Sequence, residues 1–132
     1  MIVDTSVLVA IVRDEHDAEV YTDVLVRDPA PQISAANFLE AAVVIDARRD
    51  AVASRQLDAI AEALRISLAP VTPRHAHLAR QAYRDFGKGS GHPAKLNFGD
   101  CFAYALAIDA DEPLLFKGDD FGHTDVRVAV PE

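Results

Sequence analysis

Apolar residues fall along this chain in two rhythms. Short apolar runs bounded by turn residues predict strands at Met1 to Val3, Pro113 to Lys117 and Val126 to Val130. Gln32 to Ser34 and Arg65 to Val71 read as two more. Between them apolar residues recur every three or four positions, the spacing of one helix face. Val7 to Val12 opens a helix or helical pair that continues over Glu15 to Arg27, with Ala18, Tyr21, Val24 and Leu25 in step. Further helices are predicted over Ala36 to Arg49, over Ala51 to Leu64, from Thr72-Pro73 to about Phe86, and over Phe98 to Asp109. Asp28-Pro29-Ala30-Pro31, Glu112-Pro113 and the glycine-rich GKGSGHPAK (87–95) interrupt the pattern.

Strands alternating with helices predict an α/β fold, a three-layer αβα sandwich around a central, mainly parallel sheet of four or five strands. The length predicts a single domain over 1–132. Such sheets bind ligands beyond the carboxyl ends of their strands. Asp4 stands there, where the run MIV meets TSVLVAIV. A buried unpaired charge at that point costs several kcal/mol, so it calls for a partner or a purpose.

More acids share this placement. Glu40 is the only polar residue between Phe38 and Ile45, Asp100 lies in the first turn of an apolar helix, and Asp119 and Asp120 follow a strand. Taken singly, each has a structural reading. Asn37-x-x-Glu40 and Asn97-x-x-Asp100 resemble capping boxes, Asp4 can cap the first helix, and Asp119-Asp120 fits an ordinary turn. Taken together, Asp4, Glu40, Asp100 and Asp119 can project into one crevice. Crowded carboxylates repel and take up protons unless a cation neutralises them. A set without histidine or cysteine suits a hard ion, Mg²⁺ with Mn²⁺ as substitute, which activates water for displacement at phosphorus.

The formal net charge is −8, which argues against phosphate binding by the whole surface but not against an enzyme whose acids gather round a metal. A lone cysteine, Cys101, excludes an internal disulfide framework and suits a reducing cytoplasm. No apolar run approaches the roughly 20 residues that cross a bilayer, and the start lacks the basic region of a signal peptide, so the expectation is a cytoplasmic protein without a membrane partner.

Four stretches, MIVDTSVLVAIV, SAANFLEAAVVI, LNFGDCFAYALA and LLFKGDDFGHTDV, in this order and at these separations, resemble PIN-domain ribonucleases, and more closely the VapC-like toxins of bacterial type II toxin–antitoxin modules. The resemblance covers nearly the whole chain. It implies a Mg²⁺-dependent endoribonuclease that cleaves RNA phosphodiester bonds with metal-activated water. Asp4, Glu40 and Asp100 match the three core acids of that family. Many relatives carry the fourth acid slightly earlier, where this chain has Gly118; Asp119 is the expected fourth, with Asp120 second. Thr5, Ser6, Thr124 and Asp125 match positions that support the acidic pocket. The resemblance also implies a cognate antitoxin, a homodimer, and a larger complex of the two.

The loop GKGSGHPAK does not match a P-loop and reads as a solvated connector; its alternative reading places Lys88, His92 and Lys95 on the RNA backbone. His16, His75, His77 and His123 read as surface or capping residues, and Cys101 as a buried thiol. Rival classes fare worse. A receiver-type signalling domain needs an aspartate ending its middle strand, where this chain has Ser34 and Thr72. A haloacid-dehalogenase-type phosphatase needs an aspartate where Ser6 stands, and no GxGxxG follows the first strand. A catalytically inactive PIN binding module is the remaining alternative; it predicts indifference to divalent metal.

Overall fold

The computed structural model describes residues 1–129. Four strands, β1 (Ile2–Val3), β2 (Gln32–Ser34), β3 (Ser67–Ala69) and β4 (Leu114–Leu115), pair in the order β3-β2-β1-β4, all parallel. Six helices accompany them: α1 (Thr5–Val12), α2 (Ala18–Arg27), α3 (Ala35–Asp46), α4 (Ala51–Ala63), α5 (Pro73–Phe86) and α6 (Phe98–Ala110). A 3₁₀ turn (Asp120–His123) follows β4.

The layers follow from strand alternation. Neighbouring residues on a strand point to opposite faces. Val3 and Leu115 pack with Val7, Leu8, Leu25, Ile45 and Leu57 from the first four helices. Ile2 and Leu114 pack with Ala82, Ala103, Tyr104 and Leu106 from α5 and α6. Both sheet faces are therefore covered, which is why these strands are apolar on consecutive residues rather than alternately. The chain steps outward from β1 through β2 to β3, then returns past β1 to β4. Right-handed crossovers in opposite directions put their helices on opposite faces, and the reversal opens a crevice beyond the carboxyl ends of β1 and β4.

Several boundaries differ from the sequence reading. The predicted helix or helical pair divides at Asp14, whose φ of 51° stops α1, with the Glu15 N–H donating to the Ala10 carbonyl. Left-handed Arg49, Arg65 and Asp111 likewise follow α3, α4 and α6, so α3 ends at Asp46 rather than Arg49. The expected strand over Val126 to Val130 is corrected to a single parallel bridge between Val128 and Leu114; Val130 lies outside the described residues. His75, read from sequence as a surface or capping residue, is buried, and its Nε2 lies 2.8 Å from Asp109 Oδ2, joining the start of α5 to the end of α6.

A carboxylate crevice as the candidate active site

Asp4 follows β1 directly and is the N-cap of α1. Its Oδ2 accepts hydrogen bonds from the Ser6 N–H at 3.0 Å and the Ser6 hydroxyl at 2.6 Å. Ser6 Oγ in turn accepts from the Lys117 N–H at 3.0 Å, which ties the end of β4 to the same point. The capping reading and the crevice reading of Asp4 thus both hold. Burial pushes its carboxyl up, the Ser6 bonds pull it down, and the charge of Glu40 pushes it up again.

Asp100 is set by a true capping box. Its N–H donates to Asn97 Oδ1 at 2.9 Å, and its own Oδ2 accepts from the Asn97 N–H at 3.0 Å. Burial first, then the charges of Asp4, Asp120 and Glu40, raise the Asp100 carboxyl to about 6 against the pull of the Asn97 N–H. Asp100 therefore feels the other three acids, and Asp4 feels Glu40. Asn37-x-x-Glu40, by contrast, is no capping box. Ser34 caps α3, its hydroxyl accepting from the Ala36 N–H, and Asn37 lies inside the helix, fully buried.

The loop after β4 carries both candidates for the fourth acid. β4 ends at Leu115 rather than Lys117, and Gly118, with φ 104°, turns the chain. Asp119 then only precedes the 3₁₀ turn, with no side-chain capping bond, while Asp120 opens it and adds its charge to Asp100. Of the two, Asp120 is the one whose charge bears on Asp100.

The supporting residues divide in two. Thr5 is buried and its hydroxyl donates to the Asn37 carbonyl at 3.0 Å, so with Ser6 it adjoins the acids. Thr124 and Asp125 act within the loop instead: the Thr124 hydroxyl donates to the Phe121 carbonyl at 2.8 Å, and Asp125 accepts from the Tyr104 hydroxyl at 2.7 Å. Lys88, His92 and Lys95 lie in the 87–95 loop around a shallow depression of their own. The His92 ring packs edge-on to Phe86 at 4.9 Å, and its Nδ1 accepts from the Ala94 N–H, so that side chain holds the loop together. Lys88 also lines an apolar groove with Asn97, Phe98 and Tyr83, beside the capping box. The Cys101 thiol donates to the Asn97 carbonyl, and burial pushes it up to about 11, which removes it as a nucleophile.

Two residues that the sequence reading did not place at the site are Asn37, considered only as a cap, and Gly99. Asn37 Nδ2 donates to the Gly99 carbonyl at 2.9 Å. A Cβ on Gly99 would overlap the carboxylate of Glu40. The available signal was a glycine in the first turn of a helix, where any other residue raises helix propensity.

The donor set fits a hard divalent cation: carboxylates only, two of them raised by burial and mutual repulsion. Among the described residues, no three His, Cys, Asp or Glu side chains form a group that could hold a metal ion.

Comparison with known proteins bears on the same chain. Residues 1–127 match the model of the PIN domain family. Ribonuclease VapC28 of Mycobacterium tuberculosis is 58% identical over 130 residues, covering 98% of each chain. Ribonuclease VapC42 of the same organism is 48% identical over 129 residues, again 98% of each. Among solved structures, M. tuberculosis VapC20, a sarcin–ricin loop cleaving toxin, aligns with a TM-score of 0.75 at 18% identity over 98% of both chains. A toxin–antitoxin complex from Klebsiella pneumoniae aligns with a TM-score of 0.73 at 17% identity, over 99% of this chain and 97% of that one. At those identities the structural likeness concerns the fold.

Proposed function

The chain belongs to the PIN-domain family and within it to the VapC ribonucleases, and from this premise we propose that it is the Mg²⁺-dependent endoribonuclease toxin of a type II toxin–antitoxin pair, with Asp4, Glu40, Asp100 and Asp120 as its working acids. The observation that supports this reading most is the charge of the other three acids on Asp100, whose carboxyl is raised to about 6. Mg²⁺, or Mn²⁺ in its place, supplies Lewis acidity and an acidified water when bound. The chain supplies the rest. Ser6 fixes the orientation of Asp4 by two hydrogen bonds to one oxygen. Asn97 fixes Asp100 through Oδ2. Glu40, reaching over Gly99 from α3, is placed to take a proton from the attacking water at its carboxylate. Asp120 closes the crevice from the β4 side.

The partner is an antitoxin, and the toxin pairs with a second copy of itself. Leu39 and Val43 on α3 and Phe98 at the start of α6 are exposed, and large exposed apolar side chains favour protein contacts. The decisive experiment maps RNA ends across the transcriptome after brief expression, with Asp4→Asn as control, and assays the purified protein on RNA in Mg²⁺ and in EDTA. New ends that depend on Asp4 and on the cation support the reading. Undiminished cleavage in EDTA removes the metal mechanism, and an inactive wild type in Mg²⁺ removes the nuclease.

A further inference from the structure

Asn37 and Glu40 stand three residues apart on α3, so they share one helix face. Both address the same residue on α6. Asn37 Nδ2 donates to the Gly99 carbonyl at 2.9 Å, and the Glu40 carboxylate lies over the Gly99 α-carbon, where a Cβ would overlap it. The backbone of Asn37 is itself held, its carbonyl accepting the Thr5 hydroxyl at 3.0 Å, one residue after Asp4. Asn37 is fully buried, and its Oδ1 finds no partner among the described residues. A residue that only filled space would do better as an apolar one.

We propose that Gly99 is a positioning residue whose missing side chain is the seat of the Glu40 carboxylate, with the Asn37 amide fixing the distance between the two helices. The inference rests on the nuclease reading above and deepens it. The Asn37–Gly99 and Thr5–Asn37 bonds link the segments that bear Glu40, Asp100 and Asp4, so the helices cannot drift apart to absorb an added methyl. The flexible end of Glu40 must move instead. Gly99→Ala is thus a substitution that the fold accepts and the acid arrangement does not. In a helix alanine is also the better residue, so the fold gains what the site loses.

The test is a double-mutant cycle of Gly99→Ala and Glu40→Ala in the full chain. The readouts are the urea midpoint, kcat and KM on a cleaved RNA, and Mn²⁺ affinity by calorimetry. Gly99→Ala is expected to keep or raise the urea midpoint. Its kcat should fall about 10²-fold with KM within about threefold. Its Mn²⁺ affinity should fall about tenfold. In the Glu40→Ala background the same substitution should change kcat by less than about threefold, because the group it displaces is already gone. A Gly99→Ala protein as active as wild type overturns the seat, and so does an equal loss in both backgrounds. Should Gly99→Ala alone fail to fold, the double variant decides. Refolding on removal of Glu40 supports the seat, and continued failure shows that the methyl meets something else. A wild type that cleaves no RNA in Mg²⁺ fails the nuclease reading itself, an outcome distinct from an active wild type beside an equally active Gly99→Ala.

Discussion

Asp100 shows how one carboxyl can be well held and still unfavourable. The capping box orients it, yet burial and three neighbouring acids raise it from 3.8 to about 6. Between those values the folded chain binds more protons than the unfolded one, so this group makes stability fall as pH rises from about 4 to about 6, and the deficit persists at neutral pH. Asp4, raised in the same direction, adds to it. In the metal-free protein, Asp100→Asn should therefore raise the melting temperature by a few degrees at pH 7 and much less at pH 4, while RNA cleavage falls at least about 10²-fold. A thermal melt at both pH values checks the sign. Cleavage by the wild type should also decline as pH drops through about 6, where protons compete with the cation for Asp100. Asp120 and Asp119 give a second residue-level prediction. Asp120→Asn should lower kcat by about tenfold or more, whereas Asp119→Asn should leave it within about twofold, each measured at saturating Mg²⁺. The sequence favoured Asp119, but adjacent turn residues point in different directions and the choice depends on where β4 ends. The acids on regular elements, Asp4, Glu40 and Asp100, were legible because a strand end, a helix face and a helix start each fix a direction.

Elements divide the same way. Every helix was visible from apolar spacing, and Pro73 marked the start of α5. The stops were not, because Asp14, Arg49, Arg65 and Asp111 adopt positive φ without being glycine, and residue type alone does not announce that. Among the described residues, the last expected strand meets the edge strand β4 at a single bridge, Val128 with Leu114. A helix start can also be tested. Asn97→Ala removes one half of the capping box on α6 and should cost about 1 kcal/mol in urea unfolding. It also frees the Asp100 side chain to turn, so cleavage should fall by more than that stability loss explains. Asn97→Ser, which can still cap, should restore both. Lys117 belongs to this scale too. Its ammonium lies 3.3 Å from Glu15 and 3.1 Å from Asp17, so it braces the α1–α2 turn. Its role is to hold the loop that carries Asp120, and the sequence placed it only by its position near a strand end.

For the molecule as a whole, net charge and function pull apart. A chain at −8 repels RNA, so binding must rest on local contacts and on the cation. EDTA should abolish cleavage, and Mg²⁺ or Mn²⁺ should raise the melting temperature of the wild type but not of an Asp4→Asn/Asp100→Asn double variant, which a thermal shift series measures. The two-sided core and the parallel order were legible from consecutive apolar residues in short strands; the seat of Glu40 on Gly99 was not, since it joins residues that meet only after α3 and α6 have packed. The pairing of β1 with β4 carries a consequence of another kind. Ile2 pairs with Leu114, Val3 with Leu115, and the Asp4 N–H donates to the Leu115 carbonyl at 3.0 Å. Of the four strands, the first made thus pairs with the last made, and until then β1 has only β2 beside it and Asp4 lacks its bond to Leu115. A nascent chain stalled before Leu114 should cut nothing, even with Mg²⁺ present, while one extended past the 3₁₀ turn by a linker long enough to clear the exit tunnel should cut. The order of the strands withholds the final place of Asp4 from a growing chain until β4 has been made.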